Sequence, residues 1–347
     1  FKEASCSAEH GACGTEGAIV RVAVTGASGH VGANLVRALL ARGDEVRVLL
    51  RADDRAVRGL AVDRVSGDLR DPAALAPLVA GTEVVFHAAA EVSIAGDPDG
   101  IVERVNVLGT RHVAAACLAA GVRRLVHFSS IHALESSRAN HPMDETQPFV
   151  VERGAPAYDR SKAAGEREVL AAAARGLEVV ILNPTAIVGP FDFKPSPTGR
   201  LIVALARRKM PALVAGGFDW VDVRDVARAA LAAGDRGRPG ERYLVSGHWL
   251  PIAGFAGEVA RATGVPAPRF VAPLWAARLG VPFVTIFGKV LGREALYTAE
   301  SLRGIRLSRQ VDGTKARLEV GHAPRPFAET IRDSVVWLGE HGCLTAN

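Results

Sequence analysis

The fold of this 347-residue chain is decided by residues 21–32, RVAVTGASGHVG. Arg21 to Thr25 form a short apolar run of the kind that makes a buried strand. Three glycines then provide a turn, and Ala33 to Arg37 open a stretch with helical spacing. A strand, a glycine turn and a helix in this order are typical of the first unit of a parallel α/β sheet.

The same glycines suit a bound pyrophosphate. A pyrophosphate needs close approach to backbone N–H groups and to the positive end of a helix, and side chains at Gly26, Gly29 and Gly32 would block it. The G-x-x-G-x-x-G spacing alone also fits a plain glycine-rich turn, but its position between strand and helix favours a dinucleotide site. We predict that the dinucleotide lies on the loop Gly26-Ala27-Ser28-Gly29-His30-Val31-Gly32.

Further along the chain, apolar runs alternate with Ala/Leu/Arg stretches at helical spacing. This alternation predicts a doubly wound parallel sheet, the Rossmann α/β class, with ligands at the carboxyl ends of its strands. The predicted strands are Ile19-Thr25, Glu45-Leu50, Arg64-Ser66, Val84-Ala88, Arg124-Ser129 and Val179-Asn183. The predicted helices are Gly32-Arg42, Ala73-Val79, Ile101-Ala120 and Ser161-Arg175.

After Asn183 the pattern changes to a proline-punctuated, loop-rich region. We expect the chain to return to the sheet at Trp220-Val223 and Arg242-Ser246. The predicted division is a flexible extension over residues 1–17, a Rossmann domain over 18–190 and 219–246, and a smaller substrate domain over 191–218 and 247–340.

Composition excludes several classes of protein. With 48% hydrophobic residues, the chain can bury a full core, so disorder is not its main state. The net charge of +5 comes from arginines scattered among acids, which disfavours a nucleic-acid partner. Its four cysteines form neither a CxxC pair nor a dense framework, so we expect no metal site and a reducing, cytoplasmic setting. No apolar stretch is long enough to cross a bilayer.

The end of the second predicted strand bears on which dinucleotide binds. Leu50 stands where an acid would receive the adenosine ribose, and Arg51 follows it, positioned to pair with a 2′-phosphate. NADP(H) is therefore favoured over NAD(H), although Arg51 is also compatible with a surface position and Asp53 and Asp54 offer alternative acids. Asp68, after the next strand, is a candidate acceptor for the adenine amino group.

Tyr158 and Lys162 lie four residues apart and so project from one face of a helix. We expect the ammonium to lower the pKa of the phenol, which then exchanges a proton with a substrate oxygen while a nicotinamide exchanges a hydride. Tyr-x-x-x-Lys alone is a weak motif, because a surface pair has the same spacing.

Two serines end the fifth predicted strand. We assign Ser130 to orienting the substrate oxygen, and we expect Ser129 to point into the strand's packing, because successive side chains alternate faces. A turn-capping role is the structural alternative for this pair. His87 and His127 are interpreted as satisfied core histidines, whereas His132 is a candidate to face substrate.

Taken together, these motifs resemble the extended short-chain dehydrogenase/reductase superfamily over residues 18–246. The match rests on the glycine loop, Gly67-Asp68-Leu69, His87-Ala88-Ala89-Ala90, Asn106, Ser129-Ser130, Tyr158 with Lys162, and Asn183-Pro184. The stretches Asn183-Pro184-Thr185 to Gly189-Pro190 and Trp220 to Ala227 are similar to the branch with dihydroflavonol 4-reductases, 3β-hydroxysteroid dehydrogenases and hopanoid-associated sugar epimerases.

The resemblance implies a catalytic triad of Ser130, Tyr158 and Lys162, with Lys162 also holding the nicotinamide ribose. It implies that His30 and Val31 cover the pyrophosphate and that the remaining cofactor contacts come from Arg51, Asp68, Leu69, Ala88, Ala89, Asn183 and Pro184. Relatives commonly pair through two helices of the sheet domain, so a homodimer is expected.

We predict an NAD(P)(H)-dependent oxidoreductase acting on a secondary alcohol or ketone of a hydrophobic small molecule. The candidate substrate residues are Val92, Ile94, His132 and Phe191. Two alternatives remain: a sugar-nucleotide epimerase or dehydratase that uses bound NAD transiently, and a non-catalytic dinucleotide-binding regulator.

Overall fold

The computed structural model describes residues 20–93, 96–135, 142–151, 154–277 and 310–344. The extension predicted for residues 1–17 and the substrate candidate Ile94 lie outside these ranges. The strands are β1 (Arg21–Thr25), β2 (Glu45–Leu50), β3 (Asp63–Ser66), β4 (Val84–His87), β5 (Arg124–Phe128), β6 (Glu178–Pro184), β7 (Ala186–Val188), β8 (Leu213–Val214), β9 (Gly217–Asp222), β10 (Arg242–Val245), β11 (His248–Pro251) and β12 (Val271–Ala272).

The helices follow the strands of the sheet in alternation. They are α1 (His30–Arg42), α2 (Leu75–Val79), α3 (Ile101–Glu103), α4 (Thr110–Ala120), α5 (Ala157–Ala173), α6 (Pro197–Ala206), α7 (Val223–Arg236), α8 (Ile252–Thr263), α9 (Thr314–Val320) and α10 (Phe327–Glu340). A π-helical stretch, Arg104–Gly109, joins α3 to α4, so the predicted helix Ile101-Ala120 is confirmed as one continuous rod with a widened turn.

Seven strands form one parallel sheet in the order β10-β6-β5-β4-β1-β2-β3. Alternate side chains of each strand face opposite layers: Val22 and Val24 pack with Leu35 of α1, and Ala23 packs with Val113 of α4. Helices α1 and α7 lie together on one face, and α4 and α5 lie together on the other. The predicted doubly wound Rossmann arrangement is therefore confirmed.

One predicted strand belongs elsewhere. We expected Trp220-Val223 to extend the main sheet, but β9 pairs in parallel with β7 and in antiparallel with β11 in a separate three-stranded sheet. The reason is aromatic packing: the rings of Trp220 and Phe255 lie 4.5 Å apart in the core of the C-terminal part. By contrast, β10 joins the main sheet beside β6, as predicted.

This C-terminal part has its own hydrophobic core, built around Trp220, Phe255, Ile331 and Trp337. Within the described ranges, no helix is long and apolar enough to span a membrane. The exact division of the chain into domains stays a prediction.

Candidate active site

The glycine loop joins β1 to α1 and leaves the first turn of the helix open. Gly29 caps α1 without any side-chain hydrogen bond, and the first turn carries no acidic residue. Its backbone N–H groups and the positive end of the helix dipole are therefore available to an anion.

Two of the glycines are required by the chain itself. Gly26 has φ +76°, and a Cβ there would lie 2.5 Å from the backbone nitrogen of Ala89. A Cβ on Gly32 would lie 2.1 Å from the carbonyl oxygen of Gly26. The backbone of the loop thus lies close to the end of β4 and to the carbonyl of Gly26 within the loop itself. Because neither glycine carries a side chain, a pyrophosphate could approach the backbone closely.

His30 uses its ring to fasten this loop to the rest of the molecule. Its Nε2 lies 3.1 Å from the carbonyl oxygens of Gly189 and Pro190, and the Asn34 amide donates to the same Pro190 oxygen at 3.0 Å. Val31 is partly buried against the main core. Contact of His30 and Val31 with the pyrophosphate stays a prediction.

At the ends of β2 and β3, the predicted adenosine contacts come together. Arg51 Nη1 lies 3.9 Å from Asp68 Oδ2, and the Arg51 side chain is 65% exposed. Hydrogen bonds from Arg70 lower the pKa of Asp68 to about 2. Asp68 is therefore a permanent anion, already held by a neighbouring arginine.

The two alternative acids near Arg51 are also engaged. Asp53 accepts from Arg55 at 2.9 Å and lies 3.3 Å from Lys194. Asp54 accepts from Arg58 at 2.6 Å. Neither carboxylate is left free for a ribose hydroxyl.

Ala88 and Ala89 follow β4 and lie directly under the glycine loop. The N–H of Ala88 donates to the Thr25 carbonyl at 3.2 Å, and that of Ala89 lies 3.4 Å from the Thr25 hydroxyl. His87 supports this contact from below, with Nδ1 2.7 Å from the Thr25 hydroxyl and Nε2 2.9 Å from the Thr110 hydroxyl. The interpretation of His87 as a satisfied core histidine is confirmed.

The π-helical stretch holds the next segment in place. Asn106 bonds both the N–H and the carbonyl of Glu91, at 2.7 and 2.9 Å, and donates to the Ser161 hydroxyl at 2.9 Å. Leu69 packs so closely on Gly109 that a Cβ there would overlap it. A widened helical turn of this kind is frequent at functional sites.

Helix α5 places Tyr158 and Lys162 on one face. The predicted helix began at Ser161, but the helix begins at Ala157, directly after Pro156. Proline disfavours a helix when it lies in the helix interior, and it disfavours helical geometry at the residue before it. A helix can therefore begin directly after Pro156. Both side chains therefore sit within the first two turns, facing the end of β5.

Lys162 is buried, at 4% exposure, and donates to the carbonyl of Phe128 at 2.9 Å. Burial lowers the pKa of its ammonium to about 8, opposed by the nearby charge of Glu166. Phe128 is the last residue of β5, so this bond fixes α5 to the end of that strand.

The phenol differs from the sequence prediction. We expected Lys162 to lower the pKa of Tyr158, but burial raises the pKa of Tyr158 to about 12, with a contrary effect from the Ser130 hydroxyl and a further rise from Asp159. The physical reason is that Lys162 donates to a backbone carbonyl, so burial outweighs attraction by its charge. The phenol is thus firmly protonated at neutral pH.

Ser130 and Ser129 both end up buried at the carboxyl edge of the sheet. The Ser130 hydroxyl interacts with Tyr158 and also accepts the N–H of His132 at 3.2 Å, capping the turn Ile131–Ala133. The predicted role of Ser130 in orienting the substrate oxygen is therefore compatible with its role in capping the turn. Within the described chain, the Ser129 hydroxyl has no hydrogen-bond partner.

His132 lies beside the phenol. Its ring meets that of Tyr158 edge-on with centroids 6.1 Å apart, and its Nδ1 is 3.3 Å from Asp159. Of the other substrate candidates, Val92 is 54% exposed. Phe191 packs against other side chains: the Arg37 guanidinium lies 4.3 Å from its ring centre, and the Trp337 ring, tilted by 56°, lies 6.3 Å away.

A buried carboxyl behind Lys162 was missed by the sequence analysis. Glu166 is fully buried, and its Oε1 accepts from the Asn183 amide at 2.5 Å while Arg242 lies 3.3 Å from Oε2. The same Asn183 amide donates to the Ser130 carbonyl at 2.9 Å. The signal was available, since Glu166 follows Lys162 by four residues on the predicted helix.

The side chain of Asn183 is buried, and its amide nitrogen donates to the Ser130 carbonyl and to Glu166. Contact of Asn183 and Pro184 with the cofactor stays a prediction. One sequence interpretation changes in this region. His127 was expected to be satisfied, yet neither of its ring nitrogens has a hydrogen-bond partner in the described structure. Burial holds the pKa of His127 well below its ordinary value, so the ring is neutral. No group of three metal-ligating side chains occurs among the described residues.

A parallel sheet with an open glycine loop, and a serine, a tyrosine and a lysine at its carboxyl edge, defines a nicotinamide-dependent oxidoreductase. The family model for the NAD dependent epimerase/dehydratase family matches residues 22–246. The chain is 41% identical over 330 residues to sterol demethylase protein B of Methylococcus capsulatus, covering 92% of this chain and 99% of that protein. It is 38% identical to a putative dihydroflavonol 4-reductase of Synechocystis, covering 92% and 94%.

Among solved structures, the crystal structure of gox2253 is 34% identical, with a TM-score of 0.82 over 93% of this chain and 99% of that one. The chain therefore belongs to the NAD dependent epimerase/dehydratase family, within the extended short-chain dehydrogenases/reductases. It is an NAD(P)-dependent enzyme of that superfamily, as the resemblance implied.

Proposed function

We propose that this enzyme transfers a hydride between NADP(H) and a secondary alcohol or ketone of a hydrophobic small molecule, with Tyr158 as the general acid and base. The observation that carries the proposal is the meeting of Ser130, Tyr158 and Lys162 at the ends of β5 and β6. These groups lie at the edge of the sheet that also carries the glycine loop, where such folds bind their ligands.

In the direction of reduction, the glycine loop would hold NADPH, which would supply the hydride for the carbonyl carbon. The Tyr158 hydroxyl gives its proton to the carbonyl oxygen, and the raised pKa of Tyr158 suits this role because the phenol is protonated at neutral pH. The Ser130 hydroxyl donates to the same oxygen and orients it. The phenolate then regains a proton from solvent, and in oxidation the same residues act in reverse.

Lys162 has two functions in this proposal. Its ammonium stabilises negative charge on the phenolate as the proton leaves, and it binds the hydroxyls of the nicotinamide ribose. Its bond to the Phe128 carbonyl holds it at the end of β5, one helical turn from Tyr158. A cation already desolvated in the protein needs little reorganisation when charge develops beside it.

The charges around Arg51 support NADP(H) as the preferred cofactor. Asp53 and Asp54, the acids able to receive a ribose hydroxyl, are already bonded to Arg55 and Arg58. Arg51 itself is mostly exposed, and among the described residues its one ion pair is a long one, with Asp68 at 3.9 Å. An uncommitted guanidinium beside neutralised acids suits a 2′-phosphate.

A hydrophobic substrate is supported by the relatives' names and by the site. One relative is named for a sterol and another for a dihydroflavonol, both polycyclic molecules. The exposed Val92 lies on the segment after β4 that Asn106 holds beside α5. An apolar side chain at that position favours an apolar substrate over a sugar nucleotide.

The test is a screen of ketones of increasing apolar size with NADPH and NADH, followed by the absorbance of the reduced nicotinamide. Tyr158→Phe should abolish turnover and leave NADPH binding unchanged, because only the proton donor is lost. Tyr243→Phe is the matched control: this buried tyrosine bonds Glu319 and the Arg238 backbone, away from the site, so activity should persist.

Parental activity in Tyr158→Phe would refute the role of this phenol. Purified protein that carries stoichiometric NAD, and that reduces none of the ketones, would favour the epimerase or dehydratase alternative instead.

A further inference from the structure

Behind the catalytic lysine, the structure contains a buried charge that the proposed chemistry does not use. Glu166 lies one helical turn after Lys162 on α5 and has no solvent exposure. Burying a carboxylate is costly unless cations and hydrogen bonds compensate it. A carboxyl at this position therefore calls for an explanation in terms of its partners.

The partners come from three different elements. Arg242, at the start of β10, lies 3.3 Å from one oxygen of Glu166. Asn183, near the end of β6, donates to the other oxygen. Lys162 lies one turn earlier on the same helix, and Ser129 follows β5. Burial raises the pKa of Glu166, and all four of these side chains oppose that rise. Because two of the four are cations, we assign Glu166 as a carboxylate.

Three other titratable groups near Lys162 in the described part of the chain carry no charge. Burial lowers the pKa of His87 to about 3 and the pKa of His127 well below its ordinary value, so both rings are neutral at working pH. The phenol of Tyr158 is also neutral. The charge of Glu166, one helical turn away, opposes the effect of burial on the pKa of Lys162.

We propose that Glu166 is a positioning residue that keeps Lys162 protonated and holds Ser130 in place. It does the first by its charge, one turn away on α5, and the second through the Asn183 amide, which bonds both Glu166 and the Ser130 carbonyl. Arg242 keeps the carboxylate oriented from the far side. Glu166 touches neither substrate nor cofactor in this proposal, which rests on the proposed role of Lys162.

The direction of the effect follows from electrostatics. Without the carboxylate, the buried ammonium loses its attraction but keeps its desolvation cost, so it gives up its proton at lower pH. Opposite charges one helical turn apart in a buried site change a pKa by about one unit or more. The alkaline limb of the pH profile should therefore move to lower pH in Glu166→Gln.

Three variants separate charge from shape. Glu166→Gln keeps the size and can still accept from Asn183, but it removes the charge. Glu166→Asp keeps the charge and shortens the side chain. Glu168→Gln is the matched control, because it removes a carboxylate from the surface of the same helix, where Glu168 pairs with Arg111. Thermal unfolding shows that each variant is folded.

Two profiles are measured for each variant: kcat/KM for a ketone against pH, and the Kd of NADPH against pH. The second needs no turnover, so it tests Glu166 even if the proposed ketone reduction fails. We expect the alkaline midpoint to fall by about one pH unit in Glu166→Gln and to stay within a few tenths in Glu166→Asp and Glu168→Gln. An unchanged midpoint in Glu166→Gln, or an equal displacement in Glu166→Asp, would overturn the proposal.

Discussion

At the ends of β5 and β6, Lys162 and Glu166 are buried behind the phenol, and the side chain of their neighbour Arg242 is 17% exposed. At the ends of β2 and β3, in the same sheet, charged groups are just as dense but lie at the surface. There Arg51, Asp53 and Asp68 form ion pairs in contact with water.

The difference lies in the local dielectric. In water, each surface pair contributes only about 0–1 kcal/mol and is weakened by salt. Inside the protein the same charges interact strongly and change one another's proton affinity. The buried end thus suits the proton transfer that we propose, and the exposed end suits the proposed recognition of a charged ligand, where we expect substitutions to have graded effects.

The largest expected effect is at the buried end, in Lys162→Met. Loss of the ammonium should lower kcat/KM by about 100-fold or more, as for other groups that assist proton transfer. The free energy of unfolding should fall, because the buried Glu166 carboxylate keeps Arg242 but loses one of its two flanking cations.

Lys194→Met is the control at the exposed end, where Lys194 pairs with Asp53 across the surface. It should keep turnover within about threefold of the parent, as expected for a solvent-exposed pair. Steady-state kinetics and thermal unfolding check both variants. Equal losses of kcat/KM in Lys162→Met and Lys194→Met would show that burial does not account for the effect of Lys162.

The glycine loop lies between these two ends of the sheet. A substitution there should impair the protein nearly as strongly as Lys162→Met. In Gly32→Ala the new Cβ would lie 2.1 Å from the Gly26 carbonyl oxygen, so the turn must open and cofactor binding should be lost. The free energy of unfolding should fall by about 3 kcal/mol, as overpacking does.

Gly257→Ala is the control for that substitution. It lies inside α8 with open space around it and should gain about 0.5–1 kcal/mol from helix propensity. Denaturant unfolding and NADPH titration distinguish the two. Normal cofactor affinity in Gly32→Ala would mean that the loop tolerates a side chain.

A third prediction concerns pH. Because burial lowers the pKa of Lys162 to about 8, kcat/KM should fall above that pH by about tenfold per unit. The exposed end should add no limb between neutral and alkaline pH, since the pKa of Asp68 is held at about 2.

The free energy of unfolding should rise with pH over the range in which activity falls. The unfolded chain holds the lysine proton up to its ordinary value of 10.5, so between about pH 8 and 10.5 it binds more protons than the folded chain at this residue. The contribution of this site to the free energy of unfolding therefore rises with pH over that window. A flat activity profile to pH 10 would exclude Lys162 as the titrating group.

The smallest effect is expected at Arg51. Arg51→Ala should weaken NADPH binding by about tenfold, the loss of one charge-assisted contact, and leave NADH binding nearly unchanged. The difference should shrink as salt is added, because Arg51 is exposed.

Arg21→Ala is the matched control, since Arg21 forms an exposed pair with Glu45 at the start of β1 and β2, the opposite edge of the sheet. It should bind both cofactors like the parent. Equal losses of NADPH and NADH affinity in Arg51→Ala would argue against recognition of a 2′-phosphate.

Residue patterns were enough to predict the parallel sheet, the glycine loop and the catalytic candidates. These features depend on local patterns: short apolar runs, glycines beside a helix start, and two side chains one helical turn apart. The same patterns returned Arg242-Ser246 to the main sheet, where β10 is the edge strand and pairs with β6.

The pairing of β9 and the charge states of the buried groups followed from long-range packing. The strand Gly217–Asp222 lies outside the main sheet because Trp220 packs on Phe255, a contact between residues far apart in the chain. The pKa of Tyr158 rose, contrary to expectation, because burial and the commitment of Lys162 to a backbone carbonyl depend on the packing of α5 against β5. Proton affinity is set by the dielectric and by every neighbouring charge, and neither quantity is local in sequence.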